Sequence, residues 1–158
     1  MLFQRINRSN PEKIFIVAYN SYSTAALTNG QAVMWDYATD ADGVGITKPT
    51  ASAKATSHYG TTFAGVAAEG IAAGAYGLIQ VYGYHSAVRV RNVTGGKPVG
   101  AAGVALSLQN AVFCLETVLG EIPATTTVTQ TCWDFAGFML GAQGSYTTKT
   151  CACFIKAL

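Results

Sequence analysis

The stretch Tyr76-Gly77-Leu78-Ile79-Gln80-Val81-Tyr82-Gly83-Tyr84-His85-Ser86-Ala87-Val88-Arg89-Val90 decides the fold class. Leu78, Gln80, Tyr82 and Tyr84 alternate with Ile79, Val81 and Gly83, the period of two that sends successive side chains to opposite faces of a strand. Farther on, Ala87, Arg89 and Arg91 alternate with Val88 and Val90. Gly83 interrupts the pattern and predicts a bend or bulge where the strand turns a barrel corner.

Working outward, the same signature recurs. Lys13-Ile14-Phe15-Ile16-Val17-Ala18-Tyr19 is a β-branched and aromatic run, hence a buried strand. Asn29-Gly30 signals a turn before a strand at 31–36, and residues 40–43 turn again into a strand at 44–47. Residues 50–61 read as a Ser, Thr and Ala-rich loop, and strands resume at 62–67. The glycines around 69–76 argue for a turn there and against a helix. One or two strands fall within 106–119, β-favouring threonines occupy 125–131, and residues 151–158 form a terminal strand. Short strands with turn signals every ~8–12 residues describe an all-β protein, a small barrel of tulip-like form or a sandwich. No long helix, internal repeat or second domain is evident. Residues 1–12 form an extended N-terminal arm, and 13–158 form a single β domain.

Composition narrows the function. Of 158 residues, half are hydrophobic and only 18 are charged (10 Lys+Arg, 8 Asp+Glu). A typical soluble domain carries roughly 25% charge. The net charge of +2 is far too small for an electrostatic nucleic-acid binder. The mean hydropathy is +0.27, yet apolar stretches such as 71–79 are too short and glycine-broken to cross a bilayer. A chain with so little charge is expected to cover much of its surface with other chains. The N-terminus has no apolar run of signal-peptide length, so Cys114, Cys132, Cys151 and Cys153 are expected to start reduced in a cytoplasm.

Candidate chemistry is sparse. His85 beside Ser86 is the most catalytic-looking pair, with Asp134 and Glu116 elsewhere as partners. Adjacent strand residues face opposite ways, so the two do not meet, and His85 reads as a surface or interface histidine. His58 has no partner at metal-ligand spacing. Cys151 and Cys153 lie on one strand face, but neither they nor Cys114 and Cys132 have the knuckle spacing of structural zinc. They read as small core residues, with a Cys114–Cys132 disulfide after air exposure left open. Asp36, Asp40, Asp42 and Gly43 fail the calcium-loop pattern and read as a turn. Gly95-Gly96-Lys97 is followed by Pro98 and is not a phosphate loop. No cofactor, metal or catalytic set is expected.

One family resemblance enters at residues 62–106. Phe63-Ala64-Gly65-Val66-Ala67, the small-residue turn to Ala75, and Gly77-Leu78-Ile79-Gln80-Val81-Tyr82-Gly83 resemble the head decoration (capsid cement) proteins of tailed bacteriophages. In those, a strand with a glycine before Val or Ile leads through such a turn to a "G-x-[IV]-Q-[VT]-x-G" strand. Val99-Gly100-Ala101-Ala102-Gly103-Val104-Ala105-Leu106 is similar to their later "G-x-x-L" turn. The opening residues 3–17 and the closing 154–158 also look like small phage virion proteins, whereas 107–150 depart from the pattern. The resemblance implies a small β module, often trimeric, made in the host cytoplasm and carried on the outer surface of the capsid. There it would bind the major capsid protein and stabilise the shell, touching neither nucleic acid nor membrane.

The residues suggest where the contacts lie. Leu2, Phe3 and Ile6, interleaved with Arg5 and Arg8, make an arm that folds against the capsid, its arginines meeting acidic groups. Gln80, Tyr82 and Tyr84 are the candidate subunit interface of a homotrimer, since tyrosine gives large contact area with a polar tip. The bland alternative is that this face lines the barrel core. Competing functions are a head-fibre base or tail component, a trimeric nucleotide pyrophosphatase, for which no phosphate-gripping set accompanies Arg89 or Arg91, and a carbohydrate-binding module using Tyr82 or Trp35.

Overall fold

A computed structural model describes residues 12–37, 40, 43–48, 63–91, 105–107, 119–121, 136–140 and 148–157. Among them every regular element is a strand: β1 (Ile14–Asn20), β2 (Ala32–Trp35), β3 (Gly45–Thr47), β4 (Phe63–Ala67), β5 (Tyr76–Arg91), β6 (Ala105–Ser107), β7 (Leu119–Glu121), β8 (Gly137–Met139) and β9 (Lys149–Lys156). The protein is all-β, as the alternation predicts. The threonine-rich stretch 125–131 lies outside the described residues.

The strands pair in the order β1-β3-β2-β4-β5-β7-β6-β8-β9, with β1 also joined to β5 and β5 to β9. The β1–β5 pairing closes β1, β3, β2, β4 and β5 into a five-stranded barrel. Closure leaves no free edge in that ring. The β5–β9 pairing likewise closes a second circuit of β5, β7, β6, β8 and β9. Strand β5 belongs to both. Its first half pairs antiparallel with β1 as far as Tyr82↔Ile14, and its second half pairs with β9 from Tyr82↔Lys156 onward. Gly83 sits at that handover with φ +97, and a Cβ there would meet the Glu12 carbonyl oxygen at 2.0 Å. The corner anticipated at this glycine is where one circuit passes into the next.

The two circuits share one plan, which overturns the sequence expectation of no repeat. In the first, β1–β3 is parallel and the other four pairings are antiparallel. In the second, β5–β7 is parallel and the other four are antiparallel. Moving each strand four places along the chain converts one into the other. The registers agree residue by residue: Tyr19↔Tyr76 answers Arg89↔Thr150, Ala18↔Gly77 answers Val88↔Cys151, and Ile16↔Ile79 answers His85↔Cys153. Val66↔Gln80 likewise answers Phe138↔Phe154. Ala68 N–H donates to the Leu78 carbonyl at 3.0 Å, and its counterpart Leu140 N–H donates to the Ala152 carbonyl at 2.8 Å. In sequence, Phe63-Ala64-Gly65 recurs as Phe135-Ala136-Gly137, and Ala32 on β2 recurs as Ala105 on β6.

Each circuit has its own core. Ala18, Leu27, Val33, Ile46, Ala64, Ala67, Ile71, Ile79 and Val81 pack together in the first. Val88, Val90, Ala136, Met139, Cys151, Cys153 and Ile155 form the second, joined by Ala32, Phe63 and Val66. Ala32 and Val66 are paired neighbours on β2 and β4. The first circuit therefore lends its outer β2–β4 face to the second core, and β4 is buried along its whole length.

Candidate contact surface

Along β1, Ala18 and Asn20 are buried, while Phe15 (41% exposed) and Val17 (63%) face out. Opposite them on β5, Tyr76 (66%) and Leu78 (39%) face out as well. The register sets Tyr19 against Tyr76 and Val17 against Leu78. The two tyrosine rings meet with centroids 5.2 Å apart, tilted by 55°. Phe15, Val17, Tyr19, Tyr76 and Leu78 thus form an apolar cross-strand ladder on the outside of the first circuit, prolonged by Ile14 (37%). No member carries a charge. Glu69 accepts a hydrogen bond from the Leu78 N–H at 2.9 Å and so holds the strand under the ladder.

Farther along β5 the outward face changes character. Gln80 is 2% exposed, although the alternation puts it on the same face as Leu78. Its side-chain amide donates to the Tyr82 carbonyl at 3.1 Å and the Tyr84 carbonyl at 3.0 Å. Tyr82 is half-buried, edge-on to Phe154 with centroids 5.0 Å apart, and Phe154 in turn stacks on Phe138 at 5.2 Å. Tyr84, also half-buried, carries the Lys13 ammonium 5.5 Å from its ring centroid, in cation–π range. The sequence placed the candidate interface on this segment. The structure brings those tyrosines together with Phe154 and Lys13, and the widest exposure lies one turn of the pleat earlier, on the ladder. The signal was present in Val17, Tyr76 and Leu78, but exposure of an outward apolar residue depends on what the rest of the chain covers.

The remaining candidates are structural. His85 is 6% exposed, so it is a core histidine and not the surface group the sequence suggested. It lies on the inward side of β5, at the bulge between His85 and Val88 in the pairing with β9. Its Nδ1 accepts the Ala87 N–H at 3.1 Å. Burial first, and the Lys13 charge after the opposing pull of the Ala67 carbonyl, hold its pKa below the ordinary 6.5. Ser86 is exposed on the opposite face, so no nucleophile–base pair forms. Cys151 and Cys153 are buried thiols on one face of β9, with the Cys153 Sγ 3.6 Å from the Cys151 carbonyl oxygen. Trp35 is half-buried against the first core. Asp36 accepts a hydrogen bond from the Ser21 hydroxyl at 2.5 Å. Among the described residues no three metal-ligating side chains cluster, and no helix is long and apolar enough to cross a membrane. The arm residues Leu2, Phe3, Arg5, Ile6 and Arg8, and also His58, Cys114 and Cys132, lie outside the described residues.

No protein-family model matches the chain, and no curated protein matches it. Among solved structures, the chain is similar to the head fiber gp8.5 N base of bacteriophage phi29. The alignment covers 92% of this chain and 96% of that one, at 10% sequence identity and a TM-score of 0.46.

Proposed function

We infer that the chain is a non-catalytic structural protein of a tailed-phage virion, a decoration protein that binds the outside of the head and stabilises the shell of major capsid protein. The observation that carries this reading is the uncharged, outward apolar ladder on a closed β body. Such a face serves contact, since the largest apolar patch on a protein surface is often functional. The sequence resemblance over residues 62–106 names the setting. In this role the arm, with Arg5 and Arg8, grips acidic groups on the shell, and the protein acts as a homotrimer at a threefold or quasi-threefold position.

The test is addition of purified protein to heads that lack it, followed by electron microscopy. Density distributed over the symmetry positions of the shell supports the reading, and removal of residues 2–9 then weakens occupancy while leaving the barrel folded. Density confined to vertices or tail overturns decoration in favour of a head-fibre base or tail part. No density on the particle overturns both.

A further inference from the structure

The internal repeat supplies a control that few proteins carry: the same backbone positions appear twice in one chain. The outward positions of the first circuit hold Phe15, Val17, Tyr19, Tyr76 and Leu78. Their counterparts in the second are Tyr84, the bulged Ser86-Ala87, Arg89, Thr150 and Ala152, by the registers given above. At four of these five places the fold therefore accepts polar or small residues, and only Phe15 is answered by another aromatic, Tyr84. The apolar ladder of the first circuit is not required to build a circuit, and among the described residues it stands exposed.

We propose that the ladder of the first circuit is the contact between copies of this chain. The proposal rests on the self-association included in the reading above. Two like faces pressed together make a twofold contact, so the ladder joins copies in pairs and is separate from the threefold contact of the trimer. Ile14, Phe15, Val17, Tyr76 and Leu78 together leave on the order of 500 Å² open, within the ~300–600 Å² of the largest patch on a monomer. Two such faces pressed together remove about 1,000 Å², the size at which a specific interface begins. The ladder is also self-complementary. It carries no charge, so two copies bring no like charges together. The Tyr19 and Tyr76 hydroxyls each donate and accept, so the polar tips of one copy answer those of the next. The other outward stripe, Tyr82 with Phe154 and Phe138, already satisfies itself within the chain.

The repeat also designs the variant. Tyr19→Arg, Tyr76→Thr and Leu78→Ala install the second circuit's residues on the first, a set that this backbone already carries once. Sedimentation of the full chain across the micromolar range is expected to show a wild-type oligomer. In the triple variant association weakens about tenfold or more, as loss of central aromatic anchors does, with the β circular-dichroism spectrum kept. Wild-type protein that stays monomeric, or a folded variant that associates unchanged, overturns the proposal. Should the triple variant not fold, Val17→Cys decides. Its alkylation, read on the peptide containing position 17, slows about tenfold or more from dilute to concentrated protein, and a rate independent of concentration overturns the assignment. Failure of the shell reading is separately visible. A stable oligomer that ignores purified heads sinks that reading and spares this one, and a monomer that decorates heads does the reverse.

Discussion

Gly65 and Gly137 are the same residue in two circuits. Gly65 has φ +142, and a Cβ on it would meet the Gln80 carbonyl oxygen at 2.5 Å. Gly137 has φ +149, and a Cβ on it would meet the Phe154 carbonyl oxygen at 2.1 Å. Gln80 and Phe154 are themselves counterparts on β5 and β9. Both glycines follow a buried alanine, Ala64 or Ala136, and both let one strand press onto the backbone of the strand that closes its circuit. Conformation and space both demand glycine, and no side-chain rearrangement relieves a clash with backbone.

The first prediction follows directly. Gly65→Ala and Gly137→Ala each destabilise by about 2–4 kcal/mol, from a backbone region nearly closed to L-residues plus the steric displacement. Gly70→Ala is the control, since the nearest atom to its added Cβ is the Leu27 carbonyl oxygen at 3.9 Å. It shifts stability by no more than about 0.5 kcal/mol. Urea unfolding of the three variants measures this, and equal stability of Gly137→Ala and Gly70→Ala would contradict the equivalence.

Much of the first circuit was legible from alternation. The period of two over 76–90 marks β5 as it stands, and Gly83 marks its corner. The repeat was not legible, because what the two circuits share is inwardness, without identity or size: Ile79 answers Cys153, Ala67 answers Met139, and Ala18 answers Val88. Each member of these pairs is fully buried, yet none is identical. Identity survives in Phe-Ala-Gly, whose glycine meets a strict geometric demand, and at the paired positions Ala32 and Ala105. The sequence leaves Gln80 open between interface and core, and reads His85 as a surface or interface group although it is buried, for a related reason. Periodicity tells which face a side chain takes, but not whether another part of the chain covers that face.

Asn20 carries the second prediction. It is fully buried at the end of β1, and its side-chain amide donates to the Ile71 carbonyl at 3.0 Å and the Ala72 carbonyl at 3.2 Å. Its Oδ1 accepts the Tyr22 N–H at 3.1 Å. One side chain thus ties the end of β1 to the turn ahead of β5. Asn20→Ala leaves the Tyr22 N–H without its acceptor and takes one donor from the Ile71 and Ala72 carbonyls, which keep the Leu27 and Ala75 N–H groups, and costs about 1–3 kcal/mol. Hydrogen exchange is expected to quicken first at Tyr22 and across the Leu27–Ile71 bridge. Uniform exchange with unchanged stability would refute the tie.

His85 gives a pH dependence of defined sign. Burial keeps it neutral, so the folded chain releases its proton more readily than the unfolded chain, whose pKa is the ordinary 6.5. The unfolded state then binds more protons below that value, and stability falls as the pH drops below 6.5. A proton on Nδ1 also ends its acceptance of the Ala87 N–H and loosens the bulge where β5 meets β9. Denaturation midpoints at neutral pH and near pH 5 are expected to differ in wild type and to converge in His85→Gln. A His85→Gln variant that keeps the full pH dependence would assign it to other groups.

The thiols of β9 supply the last prediction. Cys153 is fully buried, and burial, reinforced by the neighbouring Cys151, pushes its pKa far above the ordinary value. Since the thiolate is the nucleophile, both low thiolate content and lack of access protect it. Cys153 is the counterpart of Ile79 in the first core and acts as a small apolar residue. Iodoacetamide at pH 8 is therefore expected to leave the peptide carrying Cys151 and Cys153 unmodified in native protein, and to modify it once denaturant unfolds the second circuit. The modification midpoint should track the loss of β circular dichroism. Prompt labelling of Cys153 in native protein would show that β9 opens locally, and would remove Cys153 from the core of the second circuit.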